Sequence, residues 1–246
     1  MRVDQFESVF RAAAKQAYQY KRVEFERILV IHDLEGEGAK AFFEDAKSLL
    51  KVLGESPQWS FLSEVDFTGV ESLLEKVRSA NPDLIVSYRN LGSDAWKWDY
   101  TLGEYLDVLT QIADAPVLVT PHPEAGRASS HSMEDTDFVM AITGHLTGDH
   151  HLVNVAARLT ASGGNLLLAH IEDKQTFDRY MEIISKIDTI ETEPAMEAIA
   201  KQLLKEPSDY IESCTQALHE HQEALTVQSH LGMGHQLSEY RRLLNE

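Results

Sequence analysis

Six histidines, His145, His150, His151, His170, His230 and His235, fall at or just after short apolar runs in the second half of this chain. If those runs are parallel strands, their carboxyl ends share one edge, where imidazoles can converge on a metal ion or a phosphate. No chelating spacing such as H-E-x-x-H accompanies them, and loops gather at such an edge whatever their chemistry, so no metal set is assigned. Two strand ends there are suited to a small molecule. Ile142, Thr143 and Gly144 end one run, and His170 and Ile171 end its neighbour. Gly144 has no side chain to keep a ligand from the backbone, and Ile142 and Ile171 are placed to flank a flat base. A helix expected over 149–161 begins at the same edge. Its unpaired N–H groups and dipole favour an anion, which His150 and His151 would strengthen below about pH 6.5. The competing reading is a dry, packed edge with solvated histidines.

Weaker signals surround this edge. Ile142–His145 (ITGH) is similar to the H-x-G-H signature of nucleotidyltransferases, with Ile in the first position and no basic phosphate motif to follow. Ser162–Asn165 (SGGN) ends a helix and enters a strand, so it reads as a turn. Gly232-Met233-Gly234 is expected to follow a strand and open a helix, as an anion site or as a plain helix entry. Trp96, Trp98 and Tyr100, set among Asp94, Lys97 and Asp99, clasp a ligand or cover a sheet edge. No Ser-His-Asp or Cys-His set has a recognisable local context, so no catalytic residue is assigned.

The 246 residues, 43% hydrophobic and 25% charged, are enough for one large domain or two small ones with real cores. The formal charge of −18 is spread over both halves, which excludes the basic stripe of a nucleic-acid-binding surface and disfavours anionic membranes. The single cysteine, Cys214, excludes an intrachain disulfide and a Cys-based zinc site. Asp4 and Glu7 interrupt any secretory signal, and no apolar run approaches the ~20 residues of a membrane span. The expected location is the cytoplasm.

Residues 5–22 have helical apolar spacing through Phe6, Val9, Phe10, Ala13, Ala17 and Tyr20. Strands are expected over 26–33, 59–65, 83–87 and 116–120, alternating with helices over 37–53, 70–80 and 102–113. A polar stretch rich in Pro, Gly and Ser follows. The order then restarts with strands over 137–143, 165–171 and 224–230 and the helix over 149–161. A charge-rich helical stretch, 174–223, is expected to break at Pro194 and Pro207. The reading is α/β with two Rossmann-like units: 1–122 with its N-terminal helix, a linker over 123–136, and 137–246 carrying the helical insertion. The second unit ends in mid-helix and reads as truncated.

In this arrangement the chain resembles a tandem universal stress protein. The resemblance rests on Ile28–Asp33 (ILVIHD), on GVESLLEKVRSANPDLIVS with the later PVLVTP, and on FVMAITG followed by HHLVNVAARLTASGGNLLLAHIED. It implies a five-stranded parallel sheet in each unit, with ATP or another adenine nucleotide at the carboxyl ends of the central strands. In the nucleotide-binding members an Asp ends the first strand, here Asp33, and a G-x2-G-x9-G pattern precedes a Ser or Thr. Here Gly92 and Gly103 have ten residues between them rather than nine, and Glu104 replaces the hydroxyl residue. An acid there, with Asp94 and Asp99 nearby, repels a triphosphate.

The reading is therefore a universal stress protein-like regulatory or binding protein, with protein partners or self-association. Its adenine-nucleotide site would use Asp33 by resemblance, or Ile142–Gly144 with His170–Ile171 in the second unit. The alternatives are a nucleotide-free member acting by protein contacts, and a His-centred metal or nucleotidyl-transfer enzyme.

Overall fold

The computed structural model describes residues 17–98, 101–125, 133–143, 146–186, 192–221 and 224–244. The chain divides into two compact units: Val23–Thr136, and Asp137–Glu246 with the segment before Val23. Each is an α/β unit in which a parallel sheet is flanked by helices, a Rossmann-like arrangement.

The first unit runs β1 (Arg27–His32), α1 (Gly36–Leu49), β2 (Gln58–Ser63), α2 (Val70–Ala80), β3 (Leu84–Tyr88), α3 (Glu104–Ile112) and β4 (Val117–Thr120). The strands lie in the order β2-β1-β3-β4. Val30 of β1 pairs with Phe61 on one side and Val86 on the other. β1 and β3 are covered on both faces, which is why they are nearly uninterrupted apolar runs. Asn81 ends α2 in the left-handed conformation, and the next strand begins within three residues. The Asp83 carboxylate then accepts the N–H groups of Glu26 and Arg27 at 3.1 and 2.9 Å and pairs with the Arg27 guanidinium at 2.8 Å. That fixes the amino ends of β1 and β3 together. The chain leaves β1 outward to β2, then crosses back to β3. The carboxyl ends of β1 and β3 thus form a topological switch point, where ligands collect in such sheets.

The second unit runs β5 (Phe138–Ile142), α4 (His150–Leu159), β6 (Asn165–Asp173), α5 (Lys174–Ile184), α6 (Thr192–Glu220), β7 (Thr226–Gly234) and α7 (Gln236–Leu243). Its strands lie in plain sequential order, β5-β6-β7, with no reversal among the described residues. Leu166 and Leu168 of β6 meet Val153 and Ala157 of α4 and Tyr210, Cys214 and Leu218 of α6 in one buried core.

Several expectations are corrected. Among the described residues the sheets have four and three strands, against five in each implied by the resemblance. Residues 17–22 are not helical. They belong with the second unit, where Asn154 of α4 accepts the Tyr18 hydroxyl at 2.6 Å and the Lys21 N–H at 3.0 Å. Burial of the Tyr18 ring in that core, with its hydroxyl satisfied, outweighs the local helical spacing. Neither Pro194 nor Pro207 breaks the helical stretch: both lie within α6. Pro194 falls in the first turn, where its missing N–H costs nothing, while Pro207 is carried by the buried stripe Tyr210, Ile211, Cys214 and Leu218 just beyond it. β6 and β7 run past their expected ends to Asp173 and Gly234. Most of 5–22 and positions 126–132 of the linker lie outside the described residues. No described helix is long and apolar enough to cross a membrane.

Candidate functional site

At the first switch point, strand register sets His32 at the end of β1 beside Tyr88 at the end of β3, so Asp33 lies just past the phenol. The Tyr88 hydroxyl donates to Asp33 Oδ1 and accepts the Asp33 backbone N–H at 2.9 Å. Gly92 donates its N–H to Asp33 Oδ2 at 2.6 Å. Both carboxylate oxygens therefore have partners from the protein itself. Tyr88 is fully buried, and burial together with the Asp33 carboxylate pushes its ionisation far above the ordinary phenol range.

Aromatic side chains pack around the Tyr88 ring. The Tyr88 ring packs edge-on against Phe42 at 5.0 Å and His122 at 4.9 Å, and Trp96 stacks on His122 at 5.1 Å. His122 Nδ1 accepts the Glu124 N–H at 3.2 Å, and burial pushes its pKa down, which favours the neutral ring. Arg89 holds the cover in place by donating to the carbonyls of Trp96 at 2.8 Å and Trp98 at 3.2 Å. Trp96 therefore covers this sheet edge.

The two glycines that the resemblance gives to phosphate have other work. Gly92 (φ +71°) spends its N–H on Asp33. Gly103 (φ +87°) lies against buried Asn90, and a Cβ there would sit 2.7 Å from Asn90 Cα. Asn90 itself is left-handed and is held by Thr101, whose hydroxyl donates to its side-chain oxygen at 2.8 Å.

In the second unit, Ile142 pairs with Ala169, so Ile142 and Thr143 do lie beside His170 and Ile171. Gly144 and His145 lie outside the described residues. Ile142 is exposed, whereas His170 and Ile171 are buried, so Ile171 presents no surface to a base. β6 continues beyond both residues, paired with β7. Gly232 faces Ile171 across that pair, which corrects the expected helix entry at 232–234: these residues are strand. The backbone oxygens at the edge are taken up by α7: Gln236 donates to Ile171 at 2.9 Å and Tyr240 to Thr143 at 3.4 Å. The N-terminus of α4 is capped by Asp149, whose carboxylate accepts the Leu152 N–H at 3.1 Å. A second anion there would meet a like charge. His150 is engaged with the Tyr210 hydroxyl at 2.9 Å. His170 Nε2 lies 2.8 Å from Glu172 Oε1, while His170 Nδ1 and Thr147 Oγ1 are buried without a hydrogen-bond partner.

Among the described residues no three His, Cys, Asp or Glu side chains are grouped to hold a metal ion. Sequence reasoning overlooked Tyr88 and His122. Their only signal is position, since each stands at or just past a strand end at the edge where Asp33 lies. The chain matches no family model, no curated protein and no solved structure.

Proposed function

We propose that this chain is a universal stress protein-like regulatory protein of the stress response that acts through protein contacts, with a nucleotide-free first unit. The observation that carries this reading is the use of Asp33 by Tyr88 and Gly92. A nucleotide entering between β1 and β3 would have to break charge-assisted hydrogen bonds that each contribute about 1.5–3 kcal/mol, and also displace the Trp96–His122 stack. The acidic chain offers no compensating cation among the residues that the resemblance assigns to phosphate. Titration calorimetry of the whole chain with ATP and Mg²⁺ tests the reading: no saturable heat is expected, and micromolar binding lost in Asp33→Ala would overturn it.

A second reading keeps an adenine nucleotide in the second unit, at Ile142–Gly144 and His170–Ile171. In its favour stand the buried, unpartnered Thr147 Oγ1 and His170 Nδ1 near those strand ends. Under it, the same titration gives micromolar binding that survives Asp33→Ala and is abolished by Gly144→Val.

A further inference from the structure

The second unit holds an open groove of about 470 Å³ between α5 and the amino-terminal half of α6. Phe177 and Met181 form its buried floor. On its walls Tyr180, Ile183 and Leu203 are 59%, 53% and 37% exposed, a concentration of large apolar side chains that exceeds scattered surface residues. Glu172 and Asp173 close one end.

Charge selects the occupant. Residues 172–220 hold 12 acids against 5 bases. Lys174, Lys186 and Lys205 are each paired with an acid four residues away. The groove is thus apolar along its length and negative at one end, within a chain of net charge −18. A second copy would bring the same negative charge, and anionic lipid or nucleic acid would be repelled. A segment with apolar residues on one face and Lys or Arg beside them satisfies both features. α5 has 11 residues, about 16 Å of helix, so three turns of a partner helix match its length.

We propose that this groove docks a cationic amphipathic helix of a partner protein, with Tyr180, Ile183 and Leu203 receiving its apolar side chains and Glu172 and Asp173 receiving a lysine or arginine. The proposal rests on the reading that the chain works through protein contacts, and it names the surface and the partner chemistry.

The test is fluorescence anisotropy of the whole chain with a labelled leucine–lysine amphipathic peptide of about 14 residues, roughly four turns. A leucine–glutamate peptide of the same pattern is the control. The leucine–lysine peptide should bind saturably and the control should not. Ile183→Asp adds a negative charge while removing an apolar contact, so it separates the two contributions. Docking in the groove predicts affinity about tenfold weaker or more, whereas attraction to overall charge predicts equal or tighter binding. Leu203→Asp, on the facing helix, should repeat the loss, with circular dichroism confirming that both variants fold. Glu172→Gln should weaken the leucine–lysine peptide and make its binding less sensitive to salt.

No saturable binding, unchanged binding in Ile183→Asp, or equal binding of the control peptide would each overturn the proposal. So would self-association in sedimentation that Ile183→Asp abolishes while the peptide does not bind. Failure here with no ATP binding removes the groove and leaves the proposed function standing. Micromolar ATP binding lost in Asp33→Ala removes the proposed function whatever the peptide does.

Discussion

Tyr88 and Asp33 exchange two hydrogen bonds across the switch point of the first sheet: the phenol donates to the carboxylate and accepts the Asp33 backbone N–H at 2.9 Å. The central strands β1 and β3 are joined at their carboxyl ends by side chains, much as Asp83 and Arg27 join their amino ends. Replacing Tyr88 by Phe keeps the ring against Phe42 and His122 and removes only the hydroxyl. The expected loss is about 1–3 kcal/mol of unfolding free energy, read from urea denaturation, because a carboxylate and a backbone N–H both lose a partner. An unchanged midpoint would mean that water replaces the phenol at no cost.

His122 should make the first unit acid-sensitive. An ordinary imidazole titrates near 6.5, and burial pushes the folded value of His122 below that. The unfolded chain therefore takes up the proton first. The stability from this group is complete above about pH 6.5 and is lost as pH falls toward the folded value. Because Trp96 stacks on His122, the difference in emission between the native protein and Trp96→Phe should fall as the ring charges, with a midpoint below 6.5. A midpoint at or above 6.5 would contradict the buried, neutral ring.

Two glycines separate backbone strain from steric conflict. Gly163 (φ +81°) has open space where a Cβ would lie, so Gly163→Ala should cost only the left-handed penalty of about 1–2 kcal/mol. Gly103 has a similar φ of +87°, but its Cβ would sit 2.7 Å from Asn90 Cα. Gly103→Ala should therefore destabilise clearly more than Gly163→Ala in thermal unfolding. Equal losses would show that the segment carrying Asn90 yields freely.

Cys214 should behave as core. It is fully buried, and burial pushes its thiol up to about 12, so almost none is thiolate at neutral pH. Ellman's reagent should react with the native chain only as fast as the second unit opens, and promptly in urea. Rapid labelling without denaturant would place the thiol at an accessible surface.

Strand and helix order was legible because it is written in local patterns. The buried runs around Ile28–Ile31, Leu84–Val86 and Leu166–Leu168 announce parallel strands, and Asn81-Pro82 and Gly54 mark helix ends. Position 33 was singled out through resemblance. Its partners were not, since Tyr88 lies 55 residues away and meets Asp33 only once β1 and β3 are neighbours. Likewise, local spacing gives residues 17–22 to a helix, but contacts with Asn154 and Ser213 give them to the second unit.

The α/β class, the alternation of elements, the acidic surface and the absence of a disulfide within the chain follow from composition, from uninterrupted apolar runs and from the 3.6-residue helical period. What stands at the strand ends was set by the tertiary fold. There Asp33 is engaged by Tyr88 and Gly92, and α7 uses the backbone oxygens of Thr143 and Ile171. A polar group's availability depends on which distant groups reach it first, and strand order and register set that reach.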